Sequence, residues 1–305
     1  MPPSSLKQVV KDIRSLKIQG AESVSREALK ALKHVIHKSK AKTPEEFISE
    51  VKKARSQLEA TRPTEPYLRN AIKCVFHNAR GANLRELKEN LFSRIQKTLA
   101  LMERSRKIVV EIGAKKIKSG MVVFTHCHSS TVTSILAEAK KQGKRCEVHN
   151  TETRPRMQGR KTAKELAKAG IKVRHYVDSA ARLALKKADI MLIGADAITS
   201  EGRVINKIGS ELFAEVARRY DIPVYVCTNS WKFDPETVFG FTEEIEERSP
   251  SEVWKNPPKN VTIDNHAFEI IDPETVTGVI TELGIYEPRI LVEEIKRGYP
   301  WIIKK

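Results

Sequence analysis

Apolar positions along the first third of the chain recur at helical spacing. Leu6, Val9, Val10, Ile13 and Leu16 form one stripe, with Ser4 a candidate cap, and Ala28, Leu29, Leu32, Val35 and Ile36 form a second. Thr43-Pro44-Glu45-Glu46 reads as a helix start: Thr43 at the N-cap, Pro44 at the first helical position and Glu46 closing a capping box. Phe47, Ile48, Val51, Ala54 and Leu58 make its apolar face. After a break at Arg62-Pro63-Thr64, helical patterns return near Tyr67–Asn78 and from Leu84 to about Ile112. Consecutive amphipathic helices on short links predict a helical bundle. The breaks at Gln19–Glu22 and Arg62–Thr64 are either plain connections or loops that project toward a neighbouring domain's site.

The pattern changes at Gly120. Short apolar runs, Val122–Thr125, Cys146–Asn150, Val173–Val177, Ile190–Gly194 and Val224–Cys227, now alternate with helical patterns near Ser134–Gln142, Thr162–Ala169, Ala180–Lys187 and Ser210–Tyr220. Alternation of this kind predicts a mostly parallel sheet covered on both faces and, with right-handed crossovers, a Rossmann-like α/β fold. The expected division is a helical domain over 1–118 and a Rossmann-like domain over 119–305. In the tail, Val276, Val279, Ile280 and Leu283 suggest a last helix. Tyr286, Tyr299 and Trp301 either seal an oligomer interface or finish the core.

Composition narrows the class. With 305 residues, 40% hydrophobic and 30% charged, the chain is globular and long enough for two cores. It shows no apolar run long enough to cross a bilayer and no signal peptide, so a cytoplasmic location is expected. Lys and Arg number 55 against 38 Asp and Glu, a net charge of +17. That surplus favours anionic partners such as phosphorylated metabolites or nucleic acid, or else reflects the charged surfaces common at high temperature. None of Cys74, Cys127, Cys146 and Cys227 forms a C-x-x-C pair, and no disulfide is expected. His126-Cys127-His128 invites a metal reading, but neighbouring side chains on a strand diverge and no second ligand cluster accompanies them, so no metal is expected.

Polar residues fall where a parallel sheet places its site, beyond the carboxyl ends of strands. Cys127 ends the first run, Thr151-Glu152-Thr153-Arg154 the second, Asp178-Ser179 the third, Asp196 the fourth and Thr228-Asn229 the fifth. Asp178 or Ser179 is well placed to cap the helix that follows. Neither a dinucleotide fingerprint nor a P-loop is present, which argues against nucleotide-dependent redox or P-loop chemistry. At a helix amino terminus the pKa of Cys127 is expected to fall, making it a usable base, with Ser129, Ser130 and Thr131 lining the helix start. Asp196, flanked by apolar residues, would need its pKa raised into the neutral range to act as an acid, at about 4 kcal/mol of differential solvation. Such a pair suits proton transfer within a sugar; the alternative is a buried structural cysteine and a capping aspartate. Asn206-Lys207-Ile208-Gly209 is expected to open a helix whose amides, with Lys207 and Lys232, bind phosphate. Arg154, Arg156 and Arg160 add positive charge.

Thr125-His126-Cys127-His128-Ser129, Thr151-Glu152-Thr153-Arg154-Pro155, Gly194-Ala195-Asp196 and Ile205-Asn206-Lys207-Ile208-Gly209 together resemble one superfamily. It unites the regulatory subunits of translation initiation factor 2B, methylthioribose-1-phosphate isomerase and archaeal ribose-1,5-bisphosphate isomerase, the last being the nearest in look. The resemblance implies Cys127 as the base at C2 and Asp196 as the group handling the ring-opening proton. It implies phosphate and sugar contacts from Ser129, Ser130, Thr131, Asn206, Lys207, Lys232 and Arg62. It further implies a hexamer built as a trimer of dimers, no cofactor, and AMP as an activator.

One loop departs from the isomerase pattern. Where the isomerases carry an Arg-Gly-Ala-Gly type loop, this chain has Gln19-Gly20-Ala21-Glu22, losing a bidentate phosphate partner and adding a negative charge. Three function classes follow. The leading one is an aldose–ketose isomerase acting on ribose 1,5-bisphosphate. The second is a non-catalytic homologue of the initiation-factor subunits that binds nucleotide or sugar phosphate, with an initiation factor as partner. The third, nucleic-acid binding, has only the net charge behind it.

Overall fold

The computed structural model describes residues 5–62, 65–242 and 245–304; the candidate cap Ser4 and the Pro63-Thr64 part of the second break lie outside them. The chain forms two compact units, one of residues 1–104 with 299–305 and one of residues 105–298. The division falls within a long helix rather than at the change of pattern near Gly120.

The first unit is helical throughout: α1 (Leu6–Arg14), α2 (Ala21–Lys38), α3 (Pro44–Glu59), α4 (Pro66–Phe76) and the first part of α5 (Leu84–Lys116). Its core is the set of apolar stripes read from the sequence, with Ile13, Leu29, Leu32, Phe47, Leu58, Leu68 and Ile72 fully enclosed. Ser5 caps α1, accepting the Gln8 N–H. Thr43 caps α3 by accepting the Glu46 N–H (3.2 Å), but the Glu46 carboxylate accepts from Lys42 N–H (2.8 Å), one residue earlier than in a standard capping box. Arg94 of α5 donates to the carbonyls of Cys74, Val75 and His77, satisfying the end of α4. In the tail, Ile302 is fully buried and the Trp301 ring lies 6.2 Å from that of His77, so this segment finishes the core of the first unit.

The second unit is the expected Rossmann-like domain. In chain order it holds β1 (Val122–Thr125), α6 (Ser130–Lys141), β2 (Glu147–Thr151), α7 (Gln158–Lys168), β3 (Lys172–Tyr176), α8 (Ala181–Leu185) and β4 (Ile190–Ile193). There follow β5 (Ala197–Ile198), β6 (Val204–Lys207), α9 (Ser210–Arg219), β7 (Val224–Cys227), β8 (Phe268–Ile271), β9 (Gly278–Thr281), β10 (Gly284–Tyr286) and α10 (Pro288–Gly298). The main sheet runs β10-β9-β7-β4-β1-β2-β3, parallel except for the edge strand β10. The chain winds outward from β1 to β3, then crosses to β4 on the other side of β1 and winds the opposite way. The crevice between β1 and β4 is therefore the topological switch point, where α/β sheets of this order bind ligands. Val109 and Ala114 of α5 pack with Val123, Ile135, Leu136, Val148 and Leu192 in the core against the sheet.

Two expectations change. The tail segment around Val276–Leu283 is not a helix but the strands β9 and β10, joined through Glu282-Leu283 and Gly284 at φ +135°. Every residue of β9 is buried, and a short apolar run enclosed on both faces has no polar side to distinguish helical spacing from a strand. Likewise Asn206 and Lys207 do not open a helix; they end β6, the middle strand of a small antiparallel sheet β5-β6-β8. Gly209, in the left-handed region at φ +98°, separates this strand from α9. Among the described residues no helix is long and apolar enough to cross a membrane.

Candidate active site

The loop after β1 carries the cysteine. Cys127 adopts φ +63°, a conformation few side chains tolerate. Its N–H donates to Thr153 Oγ1 (3.0 Å) and its carbonyl accepts from Thr162 Oγ1 (2.8 Å), so both sides of the residue are tied to the loop and helix that follow β2. Thr153 is itself at φ +64°. Its N–H and that of Arg154 both donate to the carboxylate of Asp178, at 2.8 and 2.7 Å. Asp178 therefore does not cap the helix after β3, as the sequence suggested; two backbone amides from the neighbouring loop claim its oxygens.

The two histidines beside Cys127 have structural partners. His126 Nε2–H donates to the Ile208 carbonyl (2.9 Å), which leaves Nδ1 to accept from Thr151 Oγ1 (2.5 Å). Burial holds its pKa down at about 4, so it is neutral. His128 Nδ1 lies 3.1 Å from Thr162 Oγ1, and desolvation lowers its pKa as well. No group of three or more His, Cys, Asp or Glu among the described residues is arranged to hold a metal ion.

Ser129 caps α6, its Oγ accepting the Val132 N–H (3.3 Å). The Ser130 and Thr131 amides, the first two of the helix, have no carbonyl behind them and stand ready for an anion. Gly194, at the end of β4, lies so near that a Cβ there would sit 2.9 Å from Ser129 Oγ. The loops after β1 and β4 thus meet across the switch point. Asp196 follows Gly194 and donates its N–H to the Ile205 carbonyl (2.7 Å), which ties the loop to β6. Lys232, in the turn after β7, donates its ammonium to the carbonyl of Ala195, next to Asp196. That turn is anchored from β9's end, where the Glu282 carboxylate accepts from Ser230 N–H (3.1 Å) and hydroxyl.

Cys127 is electrostatically close to Asp196, Asp178 and Lys207. Desolvation dominates and pushes the thiol up to about 11; Lys207 pulls it down, while Asp196 and Asp178 push it further up. The sequence expectation of a depressed cysteine pKa is overturned. The helix amino terminus and the Lys207 ammonium do not repay the water lost from a thiolate, and the resting residue is a thiol.

Asn206 and Lys207 are both buried. Asn206 donates to Ser210 Oγ (3.0 Å), and the Lys207 ammonium lies 4.3 Å from the centre of the Phe268 ring. The amides at the start of α9, expected to bind phosphate, are already occupied: Glu269 of β8 accepts the Glu211 N–H at 2.6 Å, with the Gly209 and Ser210 amides on the same carboxylate. Of the nearby arginines, Arg156 pairs with Glu252 (3.0 Å) and Arg160 with Glu152 (3.4 Å), which removes them as free cations.

Cys127, Ser129, Ser130, Thr131, Asp196 and Lys232 thus lie beyond the carboxyl ends of main-sheet strands, while Asn206 and Lys207 end β6 of the small sheet, with Lys207 close enough to act electrostatically on Cys127. Gln19, Gly20, Ala21, Glu22 and Arg62 belong to the helical unit. There Gly20 takes φ +84° and precedes α2, Gln19 donates its amide back to the Leu16 carbonyl (2.5 Å) and Arg62 lies 3.7 Å from Glu65. The Glu22 carboxylate is paired with Arg26 (2.7 Å), so the charge this loop adds is locally neutralised. Sequence reasoning had Thr153 only as part of the polar run after β2, without its hold on Cys127, and missed Thr162 and Glu269. Gly194, just beyond β4, and Gly159, in the first turn of α7, were the available signal for close approach.

A model of the Initiation factor 2 subunit family matches residues 17–288. The chain is 39% identical to the ribose 1,5-bisphosphate isomerase of Thermococcus kodakarensis, over 97% of this chain and 95% of that protein. It is 38% identical to the ribose 1,5-bisphosphate isomerase of Pyrococcus furiosus, with the same coverage. Among solved structures, the translation initiation factor eIF-2B of Pyrococcus horikoshii OT3 superposes with a TM-score of 0.82 at 28% identity, over 94% of this chain and 98% of that one. The fold, the switch-point motifs and full-length likeness agree: the chain belongs to the Initiation factor 2 subunit family and is one of its isomerases.

Proposed function

We propose that the protein converts ribose 1,5-bisphosphate to ribulose 1,5-bisphosphate, with Cys127 as base and Asp196 as acid. The observation that carries this reading is the placement of a thiol, a carboxylate and a buried ammonium, Cys127, Asp196 and Lys207, around one switch point. The names of the curated relatives supply the substrate.

In this scheme Asp196 gives a proton to the ring oxygen as the C1–O bond opens. The Cys127 thiolate takes the proton from C2, forming an enol between C1 and C2. The thiol returns that proton to C1, and the C2 hydroxyl proton passes to Asp196, leaving the C2 ketone and the enzyme unchanged. The working form holds the negative charge on sulfur and the proton on Asp196. Because the Asp196 charge opposes the thiolate, protonating Asp196 itself favours ionisation of Cys127, while Lys207 supports the sulfur charge. The α6 amides, with Lys232, offer the phosphate contacts that α9 cannot. No cofactor is required by this scheme.

The test is a coupled assay of the purified protein on ribose 1,5-bisphosphate, with and without AMP. Cys127→Ser and Asp196→Asn are each expected to lower kcat at least about a thousandfold. Full turnover in either variant overturns the assignment. A second reading, a binding subunit without catalysis, is favoured by the Gln19–Glu22 loop and by the named initiation-factor structure. It takes precedence if the wild-type protein binds the sugar phosphate or AMP in calorimetry and turns over nothing.

A further inference from the structure

A left-handed conformation is strained for a residue with a Cβ, and the groups that hold the backbone of Cys127 come from elsewhere in the chain. Strand β1 has ended, α6 has not begun, and the two groups that grip its backbone, Thr153 and Thr162, come from beyond β2. Thr153 is in the same costly conformation, at φ +64°, and β-branched residues tolerate it least. Thr153 is held from outside its own loop by a carboxylate that accepts two consecutive amides, 2.8 and 2.7 Å away, and within the loop by the Met157 N–H on its carbonyl (2.8 Å). Hydrogen bonds to a charged group are stronger than those between neutral groups, and two of them oppose the strain of this turn.

We propose that Asp178 is a positioning residue for Cys127: it locks the left-handed turn at Thr153, and that turn holds the cysteine's backbone in the orientation from which its sulfur works. The proposal rests on the reading of Cys127 as the base. Asp178 touches no reacting atom; it acts through Thr153.

The same carboxylate also acts through its charge. The groups acting on the Cys127 sulfur are Lys207 from β6, Asp196 from the loop after β4, Asp178 from the turn after β3 and the His128 N–H, which donates to it; the flanking His126 ring is neutral and the His128 ring pKa is lowered by burial. Lys207 favours the thiolate, and the two aspartates oppose it. Asp178 thus improves the placement of the sulfur while discouraging its ionisation, and substitutions separate the two effects. Asp178→Asn removes the charge and one of the two acceptors. Thr153→Val keeps the charge and deletes only the oxygen that accepts the Cys127 amide. Thr153→Ser keeps that oxygen.

The experiment combines steady-state kinetics of these full-length variants with peptide-resolved iodoacetamide alkylation of Cys127 across pH. For Asp178→Asn we expect kcat to fall about tenfold or more with KM within about threefold, while alkylation of Cys127 near neutral pH quickens several-fold. Because unfolding also exposes this buried thiol and quickens its alkylation, rates are compared only for variants whose circular dichroism and urea midpoint match the wild type, so that quickening reports ionisation in the folded protein. Thr153→Val should lower kcat to a similar extent without quickening alkylation, and Thr153→Ser should stay within about threefold of wild type. The proposal is overturned if Asp178→Asn keeps kcat within about twofold, or if Thr153→Val and Thr153→Ser behave alike. Should the wild-type protein show no isomerase turnover, the alkylation arm still decides: quickening in Asp178→Asn alone supports the hold of Asp178 on this site, and unchanged rates in both variants reject it.

Discussion

Individual residues at the switch point are set by what their backbone and ring atoms bind. His126 is the clearest case, with both nitrogens engaged inside the protein and its pKa held at about 4. An unfolded histidine has a pKa near 6.5. Between about pH 6.5 and pH 4 the unfolded chain therefore binds a proton that the folded chain refuses. The contribution of His126 is fully present above that window and is lost as pH falls through it, by about 3 kcal/mol in all. Denaturant titrations at pH 7 and 4.5 should show a smaller loss of stability for His126→Gln than for wild type; an equal loss would mean that other groups dominate acid unfolding. The placement of Cys127 and Asp196 in the loops beyond β1 and β4 was legible in the sequence because each follows a short apolar run within two or three residues. The role of Asp178 was not, since capping the next helix and accepting amides from residues 153 and 154 look the same along the chain. Nor was the raised thiol pKa, which depends on burial that no spacing records.

At the scale of elements, the β-α alternation after Gly120 was legible because the central strands β1, β4 and β7 are short and apolar and the segments between strands carry amphipathic helical stripes. The tail failed for the opposite reason: β9 is buried on both faces and offers no alternation to read. Close approach between elements is carried by single small residues. Where α7 starts, a Cβ on Gly159 would lie 1.7 Å from the Thr151 carbonyl at the end of β2, and Asn150 donates to the Gly159 carbonyl (2.7 Å). Gly143, in the turn after α6, has φ +81° with nothing within 4 Å of a Cβ. Gly143→Ala should therefore cost only its backbone strain, about 1 kcal/mol, whereas Gly159→Ala must push the helix off the strand and should cost more than about 3 kcal/mol. Urea unfolding of the two variants distinguishes these values, and similar losses would refute the close-packing argument. Since α7 also carries Thr162, which holds the Cys127 carbonyl, Gly159→Ala should lower kcat too.

Over the whole molecule, a net charge of +17 surrounds a site that we propose binds a doubly phosphorylated sugar. Such a field concentrates anions and is screened by salt, because the Debye length shrinks from about 14 Å at 50 mM to about 4 Å at 500 mM. KM for the bisphosphate is expected to rise several-fold over that range with kcat little changed; a flat KM would assign recognition to the enclosed contacts alone. The switch point also bears on how the chain reaches its native state. Cys127, Thr153, Asp178, Asp196, Lys207 and the turn at Lys232 come from successive crossovers, and β1 meets β4 only after two complete β-α excursions have been laid down on its other side. Contacts between partners so distant in sequence form slowly, since loop closure must precede any gain from pairing. Helices and individual hairpins return early in refolding, and the grip of Thr153 and Thr162 on the cysteine needs only β1 to β3, but the set of groups around the sulfur is complete only when the last of these segments has docked. Catalytic competence is therefore a late event, and its recovery time measures completion of the sheet rather than collapse of the chain.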